Sequence, residues 1–288
     1  MQFEFRVPAT SANLGPGFDS IGVAVNLYLT VKVLGESNSW VVEHNMGKVY
    51  HDERNLIIST ALKVVPTLKP HKVVVSSDIP LARGLGSSSS AIVAGIEIAD
   101  KIADLKLTKQ QKLEIATKFE GHPDNVAPAI FGNLVVSSYD GNSVTSIVAK
   151  LPRVEFVAYV PNKSLLTKES RGVLPELLPF KTAIEGSAVA NTLVAALMMG
   201  DLDKAGKMIE SDRFHEHYRE KLVPYLKDIR EAAHLLGVYG TYLSGAGPTV
   251  MMIVQEKFAA RVAKQLSTKF TDGKFLVMKV DEVGCREE

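Results

Sequence analysis

Cysteine is almost missing from this 288-residue chain. Cys285 stands alone near the C-terminus, so no intrachain disulfide can form, which fits a reducing compartment and an expected cytoplasmic location. An excess of one charge is also missing: 33 Lys and Arg face 32 Asp and Glu, a net charge of +1. Such a chain sets up no global field to gather nucleic acid or an anionic membrane, and neither is expected as a partner. Long apolar runs are scarce. The best, Ala188 to Met199, is interrupted by Asn191 and Thr192 and is too short to span a bilayer. Met1 to Val7 alternates apolar and polar residues where a signal peptide needs an unbroken apolar stretch. Neither Gly-x-x-x-x-Gly-Lys-Ser/Thr nor a Gly-x-Gly-x-x-Gly after a strand occurs, so the two common nucleotide-binding folds are not indicated. What remains is ordinary globular usage, 46% hydrophobic and 23% charged, at a length that suits two domains.

Phe3, Phe5 and Val7 share one face, as do Leu27, Leu29, Val31 and Val33, predicting two strands joined by a polar loop from Pro8 to Ser20. A strand over Lys72–Ser76 leads into a Gly-rich loop. Ile92, Ile96, Ala99, Ile102 and Leu105 then recur at helical spacing, predicting a helix over 87–105. Thr108 and Gln111 have capping-box spacing and open a helix containing Glu114, which Gly121-His122-Pro123 stops. Tyr139 to Asn142 reads as a turn, and Val154–Val160 as a strand beside which the domain junction is placed, giving domains 1–155 and 156–288. The second half reads as helices over 183–199, 202–210 and 225–236, a strand over 249–254, a helix over 257–269 and a strand over 275–280.

The most informative stretch is Pro80-Leu81-Ala82-Arg83-Gly84-Leu85-Gly86-Ser87-Ser88-Ser89-Ser90. Glycines let a backbone approach a ligand closely, and hydroxyls at a helix start stand beside unpaired N–H groups and the positive end of the helix dipole. That combination suits a polyphosphate. A tight turn with one helix cap accounts for Gly86 and a single serine but leaves the remaining residues unexplained.

This loop resembles the nucleotide-binding motif of the GHMP kinases, the family of galactokinase, homoserine kinase, mevalonate kinase and phosphomevalonate kinase. Pro8-Ala9-Thr10-Ser11-Ala12-Asn13-Leu14-Gly15-Pro16-Gly17-Phe18-Asp19 is similar to the family's N-terminal substrate motif. Leu243-Ser244-Gly245-Ala246-Gly247-Pro248-Thr249 is similar to its C-terminal Gly-rich motif. Gly15 to Asp19 and His122-Pro123-Asp124-Asn125-Val126-Ala127-Pro128 look most like the homoserine kinase branch. The resemblance implies an α+β, two-domain fold: a ribosomal-protein S5 domain 2-like N-terminal domain and a ferredoxin-like C-terminal domain. It implies ATP and Mg²⁺ as cofactors, L-homoserine as substrate, O-phospho-L-homoserine for threonine synthesis as product, and a homodimer.

Residue by residue, the resemblance implies that the loop Pro80 to Ser90 and Asn55 bind nucleotide and that Ser88 and Glu114 hold Mg²⁺, with Glu120 the competing carboxylate. Asn55 is equally readable as a helix cap. Asn13, Asp19, Asn125, Thr167, Arg171, Arg219 and Gly245 are implied in substrate binding, with Asn125, Asp19 and Arg219 closest to the chemistry. Arginine suits a carboxylate because its planar fork donates two parallel hydrogen bonds; Arg213 is the alternative to Arg219. Mevalonate kinase and galactokinase place an aspartate eleven residues after the magnesium glutamate, where this chain has Asn125. An amide takes no proton, so catalysis is expected to rest on positioning, with Asp19 and Asp124 as other acceptors. His122 beside Pro123 reads as a structural residue that orients its loop.

Overall fold

The computed structural model describes residues 2–288. In the first half β1 (Phe3–Ala12), β2 (Ile21–Glu36) and β3 (Val41–Glu43) precede α1 (Leu56–Val64) and β4 (His71–Ser77). Helices α2 (Ser87–Ala103), α3 (Lys109–Glu120) and α4 (Val126–Phe131) follow, then the hairpin of β5 (Leu134–Tyr139) and β6 (Val144–Ala149). Thr108 makes the capping box with Gln111, and Gly121, at φ 89°, ends α3 in a left-handed cap. The second half runs β7 (Val154–Pro161), α5 (Thr167–Arg171), α6 (Phe180–Met199), α7 (Leu202–Ile209), α8 (Glu216–Arg219) and α9 (Leu226–His234). It closes with β8 (Gly240–Leu243), β9 (Val250–Gln255), α10 (Ala259–Ser267), β10 (Gly273–Lys279) and β11 (Arg286–Glu287).

The first sheet has the order β11-β1-β2-β4-β3, with β5 paired to the start of β2 and to β6. The second has the order β10-β7-β9-β8, all antiparallel, which is the strand order of a ferredoxin-like βαββαβ unit. Side chains alternate across a strand, so β7 serves two cores. Phe156 and Ala158 join the core shared with the first sheet, whereas Val157 and Tyr159 join the cluster under α9 and α10.

Three expectations are corrected by the chain path. Pro8 does not begin the loop: β1 continues to Ala12 because the register shifts between Pro8 and Ala9, where an imino acid costs the ladder no hydrogen bond, leaving Asn13 to Ser20 as the loop. A single cut at 155 splits β7 and does not separate two units, because β11 returns to pair with β1 and Asp281 bonds to Tyr28 and Arg286. The apolar stretch of 188–199 extends back to Phe180, so α6 is a 20-residue helix whose most apolar 18-residue window has a mean hydropathy of 1.3, long and apolar enough by composition to cross a membrane. Leu193, Ala196 and Leu197 of α6 lie in the core. Phe180, Ile184, Met198 and Met199 stand on its exposed side.

The two sheets meet along a hydrogen-bonded seam. Gly84 can only accept through its carbonyl, so the Ser244 hydroxyl donates to it at 2.6 Å, Ser11 donates to Ser244 at 2.7 Å, and Tyr242 donates to Ser11 at 3.0 Å. Backbone bonds run beside this chain, from Thr10 N–H to Leu85 C=O at 3.2 Å and from Gly245 N–H to Ala12 C=O at 3.1 Å. The approach is close enough that a Cβ on Gly84, at φ +74°, would lie 2.4 Å from the Ser244 carbonyl oxygen. Gly141, in the β5–β6 turn at φ +93°, meets nothing within 4 Å. Gly141→Ala therefore carries only the left-handed strain of about 1–2 kcal/mol. Gly84→Ala should cost at least about 2 kcal/mol more, because backbone has to move. Urea unfolding of both variants checks this, and equal losses would mean that the seam is not close-packed.

Candidate active site

A cleft of about 340 Å³ opens at this seam, lined by the loop after β1, the loop before α2, the end of α3, α5, α8 and the 245–247 turn. One end is apolar, with Met46, Val49, Leu56, Ile57 and Ile79 among its walls. Asn55 lines that end, but both ends of its amide are engaged: Oδ1 caps α1 by accepting from Ile57 N–H at 3.0 Å, and Nδ2 donates to the Tyr50 carbonyl at 2.8 Å.

The N-terminus of α2 faces the middle of the cleft. Gly86, at φ 70°, is its N-cap and supplies no capping side chain, so the first N–H groups of the helix stay available for an anion. The phosphate-type loop divides by direction. Leu81, Ala82, Arg83, Gly84, Gly86, Ser87, Ser88 and Ser89 line the cleft, but Pro80, Leu85 and Ser90 do not. Leu85 is buried in the core, and the Ser90 hydroxyl donates inward to the Pro8 carbonyl at 2.9 Å. Arg83 spends its guanidinium on backbone carbonyls, including Pro161 at 3.0 Å and Asn162 at 2.5 Å, so it ties the loop to the end of β7.

The acidic candidate changes. Glu114 lies away from the cleft, accepting from Gln110 at 3.2 Å, whereas Glu120 lines it and accepts from the Ser89 hydroxyl at 3.0 Å. Six residues turn a helix by about 600°, so the two glutamates point to different sides of α3. Burial pushes the Glu120 carboxyl above its ordinary range, although His122 and the Ser89 hydrogen bond oppose this. A half-buried carboxylate beside serine hydroxyls at a helix N-terminus is a set of hard oxygen donors that fits a divalent cation.

The polar end holds the charged residues. Asp19 and Arg171 form a bidentate pair at 2.6 and 3.1 Å. Burial works against the Arg171 charge, but Asp19 outweighs it, with Asp124 and Glu120 adding to the effect, and raises its pKa. Arg219 is 1% exposed, and its hydrogen bonds go to neutral partners, the Ser170 and Gly245 carbonyls and His215, rather than to a carboxylate. Burial and repulsion from Arg171 lower the Arg219 pKa to about 10. Both guanidinium carbons lie over the Phe18 ring, Arg171 at 5.4 Å and Arg219 at 5.5 Å from its centre. Arg213 instead faces Glu185 at 3.7 Å and is absent from the cleft lining.

Asn125 sits between the two ends. Its Oδ1 accepts from Thr10 at 2.8 Å and its Nδ2 donates to Asp124 at 3.2 Å. His122 meets the same Asp124 oxygen at 2.5 Å. Burial pulls the His122 pKa down, but the Asp124 hydrogen bond and the charges of Asp124 and Asp19 prevail and raise it. Asn13 donates to the Gly245 carbonyl at 3.0 Å and accepts from Asp19 N–H at 3.1 Å, so it fixes the loop carrying Asp19. Thr167 lines the cleft from an exposed position at the start of α5. Sequence reasoning passed over Phe18, whose place under two guanidiniums no spacing reveals, and named His122 and Asp124 without pairing them.

Comparison with known proteins places this geometry in a family. The family model described as GHMP kinases N terminal domain matches residues 55–133, and that described as GHMP kinases C terminal matches residues 193–272. A homoserine kinase of Streptococcus thermophilus is 56% identical over 98% of this chain and 98% of its own length. A solved structure from Listeria monocytogenes is 43% identical, with a TM-score of 0.90 over 100% of this chain and 99% of that one. The homoserine kinase structure from Cytophaga hutchinsonii is 25% identical, with a TM-score of 0.87 over 100% and 97% of the two chains. An open helix N-terminus, a half-buried carboxylate and two close guanidiniums thus lie in one cleft on a chain that belongs to the GHMP kinase family, among the homoserine kinases.

Proposed function

We propose that the cleft transfers the γ-phosphoryl group of ATP to the side-chain hydroxyl of L-homoserine. The observation that carries this reading is the juxtaposition of an uncapped helix N-terminus with a carboxylate and two guanidiniums, a receptor for a polyphosphate beside one for a zwitterionic amino acid. The apolar walls near Asn55 suit the base, and the N–H groups of Ser87 to Ser89 suit the phosphates. Glu120, Ser88 and Ser89 would hold Mg²⁺, which when bound neutralises charge on the phosphates. Asp19 takes the α-ammonium, Arg171 offers the α-carboxylate a planar fork, and Arg219 offers it the Nη2 group.

The hydroxyl oxygen forms a bond to the γ-phosphorus as the bridging β–γ bond breaks and ADP leaves. Asn125, held through Thr10 and Asp124, is an amide that cannot take the hydroxyl proton and acts by positioning the hydroxyl. The hydroxyl proton passes to phosphate or solvent, as a loose transition state allows. Cytoplasmic work in threonine synthesis and a homodimer belong to the same reading, and the exposed apolar side of α6 supports a second copy as its cover.

ADP release with Mg²⁺-ATP should be fast with L-homoserine and stay at background with mevalonate, shikimate or galactose. Turnover with one of those alcohols instead would overturn the assignment of the polar end. Asp19→Ala should raise the homoserine KM about 10–100-fold and move the ATP KM by less than about twofold, as loss of a charged hydrogen bond on one substrate requires. Glu120→Gln should lower kcat by about 100-fold and raise the Mg²⁺ requirement, while Glu114→Gln stays within about twofold of the parent. The reverse ranking in a magnesium titration would return the ligand to Glu114.

A further inference from the structure

Arg219 is held by a histidine that none of the roles above uses. His215 is fully buried at the start of α8. Its Nε2 lies 2.9 Å from the Gly15 carbonyl oxygen, and its Nδ1 lies 3.0 Å from Nη1 of Arg219. A carbonyl only accepts and a guanidinium only donates, so these contacts fix the tautomer: the ring carries its proton on Nε2, gives it to Gly15 and accepts from Arg219 on Nδ1. The ring also stacks on Phe18, with centres 5.3 Å apart and planes 26° from parallel. Two further bonds complete the hold on Arg219, from Nε to the Ser170 carbonyl at 3.1 Å and from Nη1 to the Gly245 carbonyl at 3.0 Å. The Nη2 group takes no part in any of these.

We infer that His215 is a positioning residue for substrate carboxylate recognition, joining the Gly15–Asp19 loop to Arg219 so that the Nη2 side of the guanidinium is presented to the cleft. This rests on the assignment of Arg219 to the carboxylate made above. Phe18 lies between the imidazole on one contact and the two guanidiniums on others, so the ring, the loop and the arginine are set as one unit. Asp212 fixes the histidine from behind by accepting from the His215 N–H at 2.9 Å and the Glu216 N–H at 2.8 Å. Without the Nδ1 acceptor, a buried guanidinium N–H loses its partner and the fork turns to find another.

The experiment separates the two contacts by substitution. His215→Asn keeps an acceptor at the Nδ1 position, His215→Gln keeps a donor toward Gly15 and loses the acceptor, and His215→Leu loses both. Steady-state constants are measured for L-homoserine, for ATP and for 2-amino-1,4-butanediol, which replaces the carboxylate with a hydroxymethyl group. His215→Gln and His215→Leu should raise the homoserine KM at least about tenfold with the ATP KM within about twofold, and His215→Asn should restore most of the loss. With the butanediol, all three variants should match the parent within about twofold, because the positioned fork has no carboxylate to meet. Equal losses on both alcohols, or an unchanged homoserine KM in a folded His215→Gln enzyme, would overturn the role. If His215→Leu does not fold, His215→Gln against His215→Asn carries the comparison. Arg219→Lys separates the two assignments: an unchanged homoserine KM there removes the carboxylate reading itself and this inference with it. A raised KM there beside a normal His215→Gln enzyme removes only the positioning role.

Discussion

The Ser244 hydroxyl receives one hydrogen bond from Ser11 and gives one to Gly84, and through those two contacts it holds together segments more than 150 residues apart in the chain. Each partner comes from a different glycine-containing motif. Tyr242 starts the series from β8, and its burial pushes the phenol pKa upward, which keeps the donor proton in place. Asp19 lies in the loop that follows the Ser11 strand, Ser87 to Ser89 start the helix that follows Gly84, and Gly245 to Gly247 follow Ser244 directly, and all of these line the cleft. The positions of Asp19, the α2 N-terminus and the 245–247 turn are therefore not independent, and a displacement of one is transmitted to the others as broken hydrogen bonds in a buried, low-dielectric setting.

This explains why small residues outnumber charged ones in the motifs. Close approach of three backbones leaves no room for side chains at Gly84 or Gly86, where a Cβ would lie 2.4 Å from the Ser244 carbonyl and 2.0 Å from the Thr10 hydroxyl. The charged residues are supplied from the rim of the seam, and at two of them burial shifts the ionisation. Glu120 is pushed toward its neutral form mainly by burial, and Arg219 is the less favoured of two neighbouring cations, again mainly through burial. Both shifts are relieved by a ligand of opposite charge, a cation for the one and a carboxylate for the other, so the electrostatic cost of each residue is the driving force for its partner.

Local patterns in the sequence carried what local physics decides. The Thr108–Gln111 cap, the Gly121 stop and the helix after the serine run could be read because each depends on neighbours within a few residues. The three motifs could be read as a ligand site because glycine and serine beside a helix start have a direct physical meaning. Direction around a helix could not be read at the same level. Four consecutive serines are rotated by about 100° each, so Ser88 faces outward while Ser90 points to Pro8, and Glu120 rather than Glu114 meets the cleft. Long-range partners were also hidden: nothing near Phe18 in sequence announces His215 or Arg219, and nothing in residues 286–287 announces that they pair on the first sheet.

That last strand has a consequence for the order of assembly. Phe5 and Arg6 pair with Glu287 and Arg286, and Cys285 N–H reaches the Ala129 carbonyl at 2.8 Å. During synthesis β1 emerges first, and its outer edge stays without a partner until the ribosome has released nearly the entire chain. An unpaired edge strand is a site for misplaced pairing between nascent chains. Its charges, Arg6 and Glu4, are the kind of side chain that discourages such pairing while the edge waits. Sequence at the start of the chain is thus under a constraint imposed by its end, one of timing rather than of the finished structure.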